Sequence, residues 1–172
     1  GNSYQVFYDH QFKAKVLSGA VGIGYSHSKY FNNGYITQID TATGADYSTF
    51  QTISSVKSDS SYKRNSYTTN YFDIPVEIRF RSTPNEKGHS WKASIGFKVG
   101  FRLNSYTTTK TDKGRYSDFI QPNLTSTRYG ITARFGYGRV GLVGYYGLTR
   151  LFEANKGHEI IPYSIGFTIS PF

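Results

Sequence analysis

Eight charged residues stand out by type and spacing. They are Asp73, Glu77, Arg79 and Arg81 in YFDIPVEIRFR, Lys98 and Arg102 in IGFKVGFRL, and Arg128 and Arg134 in RYGITARF. Within each stretch they recur at even intervals, which places them on one face of an extended chain. Two carboxylates among so many cations can pair, or the excess cations can present positive charge to an anion. Catalysis and metal binding need company that the sequence does not supply. His10, His27, His89 and His158 are far apart, and there is neither a Cys nor a His-x-x-His pair, so no metal-ligand spacing exists. His158-Glu159 could be assembled with a serine into a hydrolase set, but abundant loop serine makes such coincidences cheap. The pairs Gly22/Gly24 and Gly136/Gly138 are not followed by a helical pattern and so are not phosphate loops. The expectation is no catalytic residue, no cofactor and no metal.

The elements that must carry these charges are strands. From Ser90 to Thr109, Ile95, Phe97, Val99, Phe101 and Leu103 alternate with Ser94, Gly96, Lys98, Gly100 and Arg102. From Ser66 to Arg81, Phe72, Ile74, Val76, Ile78 and Phe80 alternate with Asp73, Pro75, Glu77, Arg79 and Arg81. A period of two gives each strand one large apolar face and one small or charged face. The charged face is too charged for a soluble core. A small membrane barrel turns the apolar face to lipid and the other to its lumen. Pro75 cannot donate to a ladder and marks a bulge or local break.

The remaining strands are expected at Asn2–Tyr8, Lys15–Tyr30, Arg128–Tyr137, Val140–Phe152 and Ile160–Phe172, about seven in all. Their connections alternate short (9–13, 82–89, 138–139) and long (31–65, 110–123, 153–159), as in a barrel with short periplasmic turns and long external loops. Residues 31–65 read as an external loop, with Tyr35–Ile39 and Phe50–Val56 able to pair across Thr43-Gly44. An even strand number requires one ascending strand before Gly1, or a different fold of the first residues. Tyr30, Phe31, Tyr67, Tyr71, Tyr106 and Phe152 are expected as an external aromatic girdle, and Phe80, Trp91 and Tyr137 as the girdle near the short turns.

Composition agrees. The 172 residues suffice for one domain, with 18 Gly, 16 Tyr and 13 Phe but no Cys or Met. No apolar run approaches a membrane helix, which does not weigh against strands that alternate between lipid and lumen. The net charge of +9 is scattered along strands rather than gathered in a stripe, so nucleic acid is not expected as a partner. The missing Met and signal peptide fit a processed, exported chain.

Three segments together resemble a known family. YFDIPVEIRFR (71–81), IGFKVGFRL (95–103) and RYGITARFGYGRVGLVGYYGLTRLF (128–152) are similar, in that order, to strands of the PorT-like outer-membrane β-barrel family of Bacteroidota, and a terminal strand ending in Phe172 resembles an outer-membrane assembly signal. The resemblance covers roughly residues 66–172. It implies an eight-stranded barrel, an outer-membrane location and no catalytic residues. Asp40-Thr41-Ala42 resembles the O-glycosylation motif of Bacteroidota, which would place a glycan on Thr41.

The expected architecture is therefore all-β: one closed antiparallel transmembrane barrel spanning residues 1–172 in a bacterial outer membrane. Asp73, Glu77, Arg79, Arg81, Lys98, Arg102, Arg128 and Arg134 should fill its lumen as a salt-bridged plug, the alternative being an anion-selective pore. Expected partners are outer-membrane lipids and other envelope proteins. The expected role is that of a non-enzymatic scaffold or accessory subunit of an envelope complex, in secretion or outer-membrane biogenesis. A small pore is the rival, and a soluble ligand-binding barrel the third reading.

Overall fold

The structure is a computed structural model that describes residues 1–13, 16–32, 34–40, 46–52, 62–111, 114–118, 124–153 and 159–169. It contains β1 (Asn2–Gln11), β2 (Leu17–Asn32), β3 (Gly34–Asp40), β4 (Asp46–Thr52), β5 (Tyr62–Arg81), β6 (Trp91–Thr111), β7 (Gly114–Asp118), β8 (Thr127–Tyr137), β9 (Val140–Gly147) and β10 (Tyr163–Ile169). Eight strands form one antiparallel sheet in the order β1-β2-β5-β6-β8-β9-β10, with β7 paired to the upper part of β6. Strands β3 and β4 form a separate hairpin. The sheet curls until Arg134 on β8 donates a hydrogen bond to Gln5 on β1, 129 residues away in sequence. Among the described residues β1 and β10 do not pair, so the sheet is open at that seam.

The alternation seen in the sequence is kept through most of each strand. Val76 sits beside Phe97, and Phe97 beside Ile131, on one face, while Asp73 is beside Gly100 and Lys98 beside Gly130 on the other. Pro75 keeps register with Lys98 but interrupts the β2 ladder between Val21–Val76 and Gly24–Asp73. The missing N–H thus makes a local break and no bulge. Register shifts against β6 lie instead between Asn70 and Tyr71 and between Tyr62 and Arg64. Several boundaries differ from expectation. Strand β1 runs through Asp9 to Gln11, whose partners are Ala20 and Ser18, so the first turn begins at Phe12 rather than Asp9. The second arm of the external hairpin starts at Asp46, not Phe50. Strand β9 stops at Gly147, which packs on Pro162, and beyond it Leu148 N–H still bonds to Tyr129 on β8 while Phe152 bridges to Leu124. The 110–123 loop contains β7.

The molecule is polar inside and apolar outside. The described hydrophobic side chains that are buried are few (Ala20, Tyr67, Tyr71, Leu124, Phe152), whereas Asp73, Glu77, Lys98 and Arg128 are all buried. Exposed apolar side chains instead cover every long strand, including Ile165 and Phe167 at more than 80% exposure. A soluble monomer does not carry so extensive an apolar wall. Two aromatic rings bound it. Tyr4, Tyr25, Phe72 and Phe101 are adjacent across successive strands, and Tyr146 neighbours Tyr163. At the short turns Trp91 stacks on Phe135 at 5.3 Å and packs on Tyr137 at 4.9 Å. The ten residue steps from Trp91 to Phe101 span about 33 Å along the strand, or about 25 Å once tilted, the height of a lipid-facing band.

The upper ring is a correction. Tyr67, Tyr71 and Phe152 were expected in the external girdle, but all three are buried. Their inward positions serve the lumen, and the girdle lies lower on the strands. On the outward side just above it, Asn70 accepts hydrogen bonds from Tyr25 (2.8 Å), contacts His27 Nδ1 (2.8 Å) and donates to Asn104. This polar knot marks where the apolar wall ends.

The two-residue turn joining β8 to β9 depends on Gly138, whose φ is +62°. A β-carbon there would be strained, and would also meet His89 at 3.2 Å. Gly138→Ala should cost about 1–2 kcal/mol, read as a lowered urea midpoint for the protein in detergent.

Candidate functional site

The inward charges gather in two connected clusters. In the upper one, Arg128 Nη2 donates to both oxygens of Asp73 at 3.1 and 3.2 Å, and Lys98 Nζ lies 3.4 Å from the same carboxylate. Ser26 donates a further hydrogen bond to it. Asp73 is fully buried on β5, Lys98 comes from β6 and Arg128 from β8. Aromatic faces take up the remaining charge: the Arg128 guanidinium lies 3.8 Å over Tyr71, and Lys98 Nζ lies 4.4 Å over Tyr145. A cation over a ring is stabilised by the ring quadrupole. Gly100 leaves the space this requires, because a β-carbon there would reach Arg128 Nε at 2.9 Å and press on the Asp73 carboxylate.

The lower cluster centres on Glu77. Arg79 Nε donates to one oxygen at 3.1 Å, and Arg134 Nε lies 3.0 Å from the other. Arg79 also reaches Asp9 on β1 at 3.3 Å. Both guanidiniums lie over the Phe7 ring, Arg79 at 4.0 Å and Arg134 at 5.1 Å from its centroid. Gly96 faces Glu77, where a β-carbon would fall 2.6 Å from its Cγ. Glycine on β6 is therefore what lets two carboxylates and their partners fit in one narrow lumen.

Above the upper cluster the lumen is covered by apolar side chains. Tyr67 lies on the inward side of β5, six residues up the strand from Asp73. It forms a buried cluster with Leu124 and Phe152, against which Leu151 and Ile160 pack. Leu124 and Phe152 form an isolated antiparallel bridge, so this lid is built from the loops before β8 and after β9.

Of the eight residues expected in the lumen, Asp73, Glu77, Arg79, Lys98, Arg128 and Arg134 meet in these clusters. Arg81 does not. It is exposed at the end of β5, beyond the lumen, where its backbone N–H bonds to Val16. Arg102 is half-buried on the inward parity but makes no ion pair among the described residues, and its Nη1 is buried without a hydrogen-bond partner. Thr41, His158 and Phe172 lie outside the described residues. His10 packs edge-on to Phe12, His89 rests on Tyr137, and exposed Glu159 pairs with Arg150 at 2.6 Å. Among the described residues no three His, Cys, Asp or Glu side chains approach as metal ligands would. Sequence reasoning missed Gln5, Phe7, Asp9, Tyr71 and Tyr145. For the first three the signal was present, since they occupy the parity of β1 opposite Tyr4, Val6 and Tyr8.

A family model described as an outer membrane protein beta-barrel domain matches residues 4–153. No curated protein and no solved structure matches the chain.

Proposed function

The chain belongs to the outer membrane protein beta-barrel domain family and resides in the bacterial outer membrane, and from that premise we propose that it is a non-enzymatic scaffold or accessory subunit of a larger envelope complex. The observation that carries the reading is the filled lumen. Asp73 and Glu77 are held by cations, aromatic rings occupy the gaps, and Tyr67, Leu124 and Phe152 cover the top. Such an interior leaves a solute little room along the barrel axis, and its carboxylates are already engaged. What remains for interaction is the outer wall and the external strands, which rise well past the aromatic ring on β5 and β6. The barrel is read as closed in the membrane, and as a PorT-like protein of Bacteroidota on the segments named above. Secretion and outer-membrane biogenesis are the processes such a complex would serve.

A small anion pore is the competing reading, favoured by the excess of inward cations. Two measurements separate them. After gentle detergent extraction the protein should migrate with a particle much larger than one barrel in a micelle. In planar bilayers it should give no steady conductance. A lone micelle-sized species with regular, anion-selective openings would favour the pore.

A further inference from the structure

Six antiparallel steps separate β1 from β10, so these two edges run in the same direction. They face each other across a cleft of about 420 Å³. Asn2, Ser3 and Gln5 line one side and Tyr163 to Ile169 the other, while Lys98, Arg128 and Arg134 reach its floor. Direct pairing of the edges would be parallel, unlike the antiparallel walls of single-chain outer-membrane barrels. Left open, each edge would hold unpaired N–H and C=O groups in hydrocarbon, where no water satisfies them. One strand antiparallel to both edges removes both defects.

The charge of the interior says what that strand carries. On the inward parity there are three carboxylates (Asp9, Asp73, Glu77) and seven cations, five within the lumen (Arg79, Lys98, Arg102, Arg128, Arg134) and two, Arg81 and Lys92, at its short-turn end. Asp73 is shared by Lys98 and Arg128, and Glu77 by Arg79 and Arg134. Cations enclosed by a closed wall need counter-charge. We propose that the β1–β10 slot takes one ascending strand of the same polypeptide, lying outside residues 1–172, with carboxylates on its inward face against Lys98, Arg128 and Arg134 and apolar side chains on its outward face. The slot lies beside the external end of β1 and the short-turn end of β10, so a flanking strand enters it through a single hairpin connection. A free anion would supply the charge but leave both edges unpaired.

This inference rests on the barrel being closed in the membrane and not on the scaffold role; the particle-size experiment is indifferent to its result. Its test extends residues 1–172 with a strand of about ten residues, joined to Gly1 by an Asn-Gly turn. One version alternates inward Glu with outward Val or Leu, a second has inward Lys, and a third shifts the first pattern by one residue. Each is refolded into lipid vesicles beside the unextended chain and beside the unextended chain mixed with the acidic strand as a free peptide. The readouts are heat-modifiable electrophoretic mobility and resistance to protease. The acidic extension should raise the folded, resistant fraction about tenfold over the basic extension, the shifted extension and the unextended chain, and Lys98→Gln with Arg134→Gln should abolish the preference for acid over base. Equal folding of the unextended chain would overturn the need for a strand. Equal folding with inward Lys would overturn the charge assignment, and equal rescue by the free peptide would overturn supply by the same polypeptide.

Discussion

Asp73→Ala should destabilise the folded barrel by about 3–5 kcal/mol, the cost of breaking a buried ion pair by removing one partner. The side chain is 0% exposed and holds Lys98 and Arg128, which are 8% and 10% exposed. Its loss leaves two cations facing one another without counter-charge, each already largely withdrawn from water. Tyr71 and Tyr145 remain beneath the two cations, but a ring offers less than a carboxylate. Asp73→Asn keeps the volume and removes the charge, so it should retain most of the deficit. Removing a cation as well, in Asp73→Ala with Lys98→Met, should recover part of it, and the double-mutant cycle measures the coupling. Glu77→Ala should cost less, since its partners Arg79 and Arg134 are 25% and 22% exposed and more open to water. Urea unfolding in lipid vesicles, followed by electrophoretic mobility, ranks the variants. If Asp73→Ala unfolds at the parent's midpoint, the upper cluster does not hold the wall together.

The difference between the two carboxylates could not be read from the chain. Both stand on one parity of the same stretch, and alternation was enough to assign them inward because each residue step on a strand reverses the face. Burial depends on what lies opposite, and that is supplied by distant segments. Arg134 with Gln5 and Arg79 with Asp9 join strands that are not neighbours in the sheet. Their meeting follows from how far the sheet curls, which no local pattern encodes. The same limit explains the misplaced girdle. Tyr71 has the composition of an interfacial aromatic, but the inward side of its strand needs a ring beneath Arg128. Tyr67 and Phe152 were likewise legible as aromatics near strand ends but not as two halves of a lid. The sequence GRYSD of β7 has no apolar alternation to reveal it, because its place beside β6 rests on backbone pairing. By contrast the apolar face of β6 was legible residue by residue, since facing lipid requires each outward position to be apolar independently of its neighbours.

That independence makes the outer wall the most direct test of where the protein sits. Phe97 is flanked by Val76 and Ile131 and lies between the ring at Phe101 and the turn-side ring at Trp91. Phe97→Arg should therefore cost about 2–4 kcal/mol, as a cation does near the midplane of a lipid-facing barrel wall. Leu103→Arg, on the same face but above the ring and already 60% exposed, should cost about 0–1 kcal/mol, because the side chain reaches the headgroup region. The contrast between depths matters more than either value. A soluble barrel would meet water at both sites, where surface changes usually fall within about 0.5 kcal/mol, and the two variants would behave alike. Vesicle unfolding measures the gap, and thinning the bilayer with shorter acyl chains should narrow it by bringing Phe97 nearer the interface. If the gap is absent, the apolar wall is not against lipid and must be covered by protein instead. That outcome would keep the polar lumen intact and make the wall the main partner surface.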